Sequence, residues 1–140
     1  MRLAVCAGML AAVLSWTAFA AEVPVPKNYG QAMSWYERAA HAGNANAQFY
    51  LGLMFETGVR GNDLAKAAEW YRKAAEQGHV EAQTRLGVLY YKGQGVKQDF
   101  AQALHWYSLA AESGSPRAQY NLALMYERGQ GVEADGQKAA

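Results

Sequence analysis

From Leu64 onward Leu64, Ala67, Tyr71, Ala74 and Ala75 recur at a spacing that gathers them on one face of an α-helix. Lys66, Glu69 and Lys73 fall outside that stripe. A second run, Ala82, Leu86, Leu89 and Tyr90, has the same helical period. Asp63 stands where an N-cap is needed, its carboxylate placed to accept a backbone N–H of the first turn. Gly78, between the runs, tolerates the left-handed turn that ends a helix. The stretch predicts a helix, a tight turn and a second helix.

The same pattern occurs three times. Residues 35–43 read WYERAAHAG, residues 70–78 WYRKAAEQG and residues 106–114 WYSLAAESG. Ala47/Ala82/Ala118, Gln48/Gln83/Gln119, Leu51/Leu86/Leu122 and Gly58/Gly93/Gly129 recur with them. Asn28, Asp99 and Asp135 repeat the cap at Asp63, and Gln31 and Gln102, three residues past their caps, complete capping boxes. Ser115-Pro116 is a cap followed by a proline suited to the first helical position. The small residues Gly52, Gly87 and Ala123 mark a close approach between helices, and the three glutamines are placed to bond the adjacent turn. A fixed period of this kind belongs to an all-α solenoid, in which each unit hides its apolar face only by stacking on its neighbours. About three helix-turn-helix units are expected, over residues 28–63, 64–99 and 100–135. They follow an N-terminal extension at 21–27 and precede the start of a fourth unit at 136–140.

Residues 1–20 stand apart. Arg2, an apolar run from Leu3 to Phe19 and small residues at Ala18 and Ala20 form the layout of a secretory signal peptide, with cleavage expected after Ala20. The expected location is therefore periplasmic or secreted, and no other apolar stretch is long enough to span a bilayer. Cys6, the single cysteine, would leave with the leader, so disulfides are not expected to support the fold. Of the 13 Lys and Arg residues only Arg2 lies in the leader, so the remaining basic side chains match the 12 acidic ones. That balance, without a basic run, argues against nucleic acid as a partner.

The pattern A-x-x-W-Y-x-x-A-A-x-x-G, then A-Q-x-x-L-G-x-x-Y, then a G-x-G-V loop resembles the Sel-one-like repeat (SLR) family, a relative of the tetratricopeptide solenoids. The resemblance covers residues 28–135. It implies a right-handed α-solenoid whose curved surface binds other proteins, and a role as adaptor, in some exported members toward envelope sensors. The first unit's loop, ETGVRGND, is one residue shorter than YKGQGVKQD.

Little in the chain points to catalysis. The Gly93-Gln94-Gly95 and Gly129-Gln130-Gly131 loops lack the strand before and the Lys-Ser/Thr after that a phosphate-binding loop requires. His41, His79 and His105 occupy three different positions of the unit, without an HExxH spacing, so neither a metal site nor a cofactor is expected. Glu69 and Lys73 read as an ordinary i,i+4 pair. The expectation is a non-catalytic scaffold binding a partner protein through the first helices. The positions that vary there between units are Gln31, Lys66 and Gln102, then Ser34, Glu69 and His105, then Arg38, Lys73 and Leu109. Self-association through the incomplete C-terminal unit is a further expectation. A binder of envelope carbohydrate such as peptidoglycan is the alternative, which tryptophans lying open would favour; a hydrolase is a third reading.

Overall fold

The structure is a computed structural model that describes residues 27–59 and 61–132. The leader at residues 1–20, the cap at Asp135 and the start of a fourth unit at 136–140 lie outside the described residues. Among those described are six α-helices and no strand: α1 (Tyr29–His41), α2 (Ala45–Thr57), α3 (Leu64–Glu76), α4 (Val80–Lys92), α5 (Phe100–Glu112) and α6 (Pro116–Arg128). None of them is long and apolar enough to cross a membrane.

The caps form where the sequence places them. Oδ1 of Asn28, Asp63 and Asp99 accepts the amide of Gln31, Lys66 and Gln102 at 2.9, 3.1 and 3.1 Å. The capping boxes do not close. Gln31 Oε1 accepts from the Lys27 amide at 2.9 Å, one residue further back, and the exposed Gln102 side chain makes no return bond. The second helices are capped by Asn44, His79 and Ser115, and Pro116 takes the first helical position. His79 is an unusual cap: its Nδ1 accepts the Ala82 amide at 3.1 Å. Gly43, Gly78 and Gly114 follow the first helices at φ 97, 86 and 92°.

The chain divides after Met33, and the fold from Ser34 onward is a run of stacked helices. From α2 onward each packs on the next in sequence, most extensively α2 on α3 and α4 on α5. A small cluster of Ala40, Ala47 and Leu51, with Tyr36 and Trp70 against it, gives way to one continuous core from Phe49 to Met125. Ala67, Ala74, Ala82, Ala103, Ala110 and Ala118 are wholly buried, which is why the repeat keeps alanine there: no larger side chain fits between the helices.

Tyrosine is the bridge between units. A Cβ added at Gly52 would lie 2.7 Å from the Tyr71 ring, and one at Gly87 2.6 Å from the Tyr107 ring. The close approach expected at these glycines is therefore made chiefly by a ring, not by a helix backbone. The loop after α4 folds back on its own unit, and a Cβ at Gly95 would fall 2.2 Å from the Leu64 carbonyl oxygen. The first unit's shorter loop makes no such fold-back at Gly61, where an added Cβ would meet nothing within 4 Å, but it ends in the same way. Its Asp63 amide bonds the Phe55 carbonyl at 3.0 Å, as the Asp99 amide bonds that of Tyr90, with Asn62 turned to φ 42° to make up the difference.

Candidate functional site

The exposed side of α3 carries an open groove of about 500 Å³. Ala68 forms its floor, Gly95 and Val96 of the loop after α4 form one wall, and Glu69, Arg72, Lys73 and Glu76 supply its charges. Two of these cations are held over rings. Lys73 Nζ lies 4.3 Å from the Trp70 ring centroid, and the Arg72 guanidinium lies 5.6 Å from that of Tyr90, whose hydroxyl it also bonds. The expected Glu69–Lys73 pair is thus replaced by a contact between Lys73 and the indole, leaving the Glu69 carboxylate toward the groove. Cations of long reach are orientated before any ligand arrives, which lowers the entropic cost of binding.

Of the positions singled out in the sequence, Glu69 and Lys73 come together in this groove. Lys66 stands one turn earlier on α3, its Nζ 5.5 Å from the Phe55 ring centroid. Arg38 Nε bonds the Ser34 carbonyl at 3.4 Å along α1. On α5, Gln102 and His105 are exposed, with the His105 ring edge-on to Trp106. Leu109 is half-buried against the core, unlike Arg38 and Lys73 at the matching positions. Gln31 lies on the N-terminal side of the division at Met33. Arg72 and Glu76 were not singled out; their signal is their spacing from Glu69, three and seven residues along the same helix.

The three tryptophans of the repeats differ. Trp106 is buried at 8% exposure, Trp70 is half-buried between the His41 ring and Lys73, and Trp35 is 38% exposed. Gln48, Gln83 and Gln119 do what their recurrence suggests: each Nε2 bonds the carbonyl of Ala40, Ala75 or Ala111 at 3.1–3.2 Å. Among the described residues no cluster of His, Cys, Asp and Glu could hold a metal ion.

A separate polar junction joins α2, α3 and α4. Tyr71 donates to Glu56 Oε2, which also accepts from Arg85 Nη1 at 3.1 Å, and Arg85 Nε reaches Glu81 Oε1 at 3.2 Å. Burial, with the Glu56 carboxylate beside it, pushes the Tyr71 hydroxyl far above the ordinary tyrosine range. The group is a fixed donor that ties α2, α3 and α4 together.

Helices that recur with one sequence unit and stack in chain order, a tyrosine of each unit closing on a glycine of the one before, define an α-solenoid repeat protein. The Sel1 repeat model matches residues 20–44, 45–79, 80–115 and 116–140, and the chain belongs to the Sel1 repeat family. The matches cut each unit between its two helices, pairing α2 with α3 and α4 with α5. Similar solved structures include a protective antigen of uropathogenic Escherichia coli displaying an SLR fold, 41% identical, with a TM-score of 0.77 over 82% of this chain and 25% of that one. A Sel1 repeat protein from Oxalobacter formigenes is 43% identical, with a TM-score of 0.77 over 82% of this chain and 48% of that one. Cysteine rich protein B of Helicobacter pylori is 29% identical, with a TM-score of 0.62 over 65% of this chain and 69% of that one. The chain thus spans a quarter and about half of the first two. No curated protein matches it. Sel1 repeat proteins generally mediate protein–protein interaction and are typically non-catalytic scaffolds.

Proposed function

We propose that this chain is a non-catalytic scaffold of the cell envelope that holds a segment of a partner protein in the α3 groove. The observation that carries this reading is the groove itself: about 500 Å³, open, floored by alanine and rimmed by two carboxylates and two ring-held cations. Such a surface suits an extended peptide, whose backbone and mixed side chains need charges of both signs. The envelope assignment rests on the leader layout of residues 1–20.

The test is site-specific photo-crosslinking in cells. A photoreactive residue at Glu69 is expected to capture one partner, which a probe at Lys92 does not. Purified, that partner should bind the unaltered chain and lose about tenfold or more in affinity on Lys73→Glu. Equal capture from both positions would overturn the reading. Fractionation should place the chain outside the cytoplasm, shortened by its leader.

The carbohydrate reading draws little support from the indoles. A repeated sugar platform would need them open, yet Trp106 is buried and Lys73 covers Trp70. Sedimentation with purified peptidoglycan is expected to leave the chain in the supernatant.

A further inference from the structure

The junction between the second and third units contains a small cavity where the first junction holds a carboxylate. In the first, the centre is filled by Glu56, which accepts from Tyr71 and from Arg85, with Glu81 on the far side of Arg85. One repeat later the corresponding residues are Tyr91 for Glu56, Tyr107 for Tyr71, Asn121 for Arg85 and Arg117 for Glu81. The carboxylates have gone. A cavity of about 90 Å³ remains, bounded by Tyr91, Tyr107, Asn121, Leu124 and Arg128. That is several times the space one water molecule needs.

The polar groups around this cavity are mostly donors. Arg128 Nη1 lies 3.4 Å from the Tyr91 hydroxyl, which gives its own proton to Gln130 Oε1 at 2.9 Å. The Asn121 side chain lies beside the Tyr107 hydroxyl on the cavity wall. Burial pushes the Tyr107 pKa up to about 12, so its proton stays in place at neutral pH, while the nearby Arg117 charge opposes the rise. A guanidinium, a phenol and an amide face one space that no carboxylate of the described residues lines, and Leu124 offers an apolar wall for a methylene stem.

We propose that this cavity receives a carboxylate carried by a partner polypeptide, in the position that Glu56 fills from within the chain one unit earlier. Arg128 supplies the charge-assisted bond, Tyr107 and Asn121 the neutral ones, and Arg117 a favourable field. Only the origin of the carboxylate rests on the scaffold reading. Small probes examine the pocket without a partner, so failure here and failure of the α3 groove are separate results.

The experiment is an NMR titration of the purified chain with N-acetylglutamate α-amide, its glutamine counterpart and N-acetylalanine. The glutamate probe is expected to give saturable shifts at the Asn121 side-chain amide and the Arg128 Nε–H, and the glutamine probe none. Arg128→Gln should weaken the glutamate probe by about tenfold without changing the melting temperature. Tyr91→Glu, which restores an internal carboxylate, should abolish the response. Tighter binding of N-acetylalanine would support the site and assign the carboxylate to a chain terminus. Absence of saturation, an equal response to the glutamine probe, or unchanged affinity in Arg128→Gln would each overturn the proposal.

Discussion

Where the first unit meets the second, Tyr71 closes on Gly52 and its hydroxyl ends in the Glu56–Arg85–Glu81 network; where the second meets the third, Tyr107 closes on Gly87 and its hydroxyl ends beside a cavity. Two further pairs diverge in the same way. Phe49 stacks on the His79 ring at 4.6 Å, whereas the matching Thr84 and Ser115 share a hydrogen bond of 3.1 Å. Gln77 Nε2 bonds Gln48 Oε1 at 2.8 Å, whereas at the matching place Ser113 is too short to reach Gln83, whose Oε1 is buried without a partner among the described residues. The lesson is that geometry is carried by the residues the units share, and chemistry by those they do not.

The comparison can be broken most forcefully at tryptophan. Trp106→Ala should cost about 3–5 kcal/mol in urea denaturation, because that indole lies in the core. Trp70→Ala should cost distinctly less, since Trp70 is half-buried; equal losses would mean the two positions share one environment. Next, Glu56→Ala should destabilise by about 2 kcal/mol, leaving Tyr71 and Arg85 without their shared acceptor. A double-mutant cycle with Arg85→Ala should show coupling between the two, and strict additivity would dissolve the network.

A smaller effect follows from His79. Burial lowers its pKa from the ordinary 6.5, and its Nδ1 must be unprotonated to cap α4. The unfolded chain takes up the proton first, so this contribution is complete above about pH 6.5 and is lost as pH falls through the lower folded value. The cap itself is worth about 1 kcal/mol. His79→Asn, copying Asn44, should flatten that part of the stability–pH curve; an unaltered slope would place the proton elsewhere. The smallest change is a gain. Ser113→Gln should stabilise by about 0.5–1 kcal/mol by giving Gln83 Oε1 a donor, as Gln77 does for Gln48.

These contrasts explain which features were legible in the sequence. The caps at Asp63 and Asp99 and the glutamine bonds to the turns are repeated, and repetition exposes a structural job directly; the close approach at Gly52 and Gly87 was legible too, though not that a tyrosine ring makes it. Arg85–Glu56 is a single pairing across 29 residues, at positions occupied in the next unit by Asn121 and Tyr91, so no recurrence announces it. The His79 cap was hidden because histidine is seldom used there, although its register with Asn44 and Ser115 was visible. The groove on α3 was half legible. Glu69 and Lys73 vary between units and so were noticed, but their union with Arg72 and the Gly95–Val96 wall depends on the loop after α4 folding back.

That fold-back affects how the chain is assembled. With Gly95 seated against the start of α3, a unit latches onto itself as soon as its second helix is made, and even the longest-range described side-chain hydrogen bond, Tyr91 to Gln130, spans only 39 residues. Search distances stay short during folding, which favours rapid zipping from a local nucleus. Units built like the second and third, with Gly95 against Leu64 and Gly131 against Phe100, can accordingly be gained or lost in evolution as cassettes that bring their own clasp.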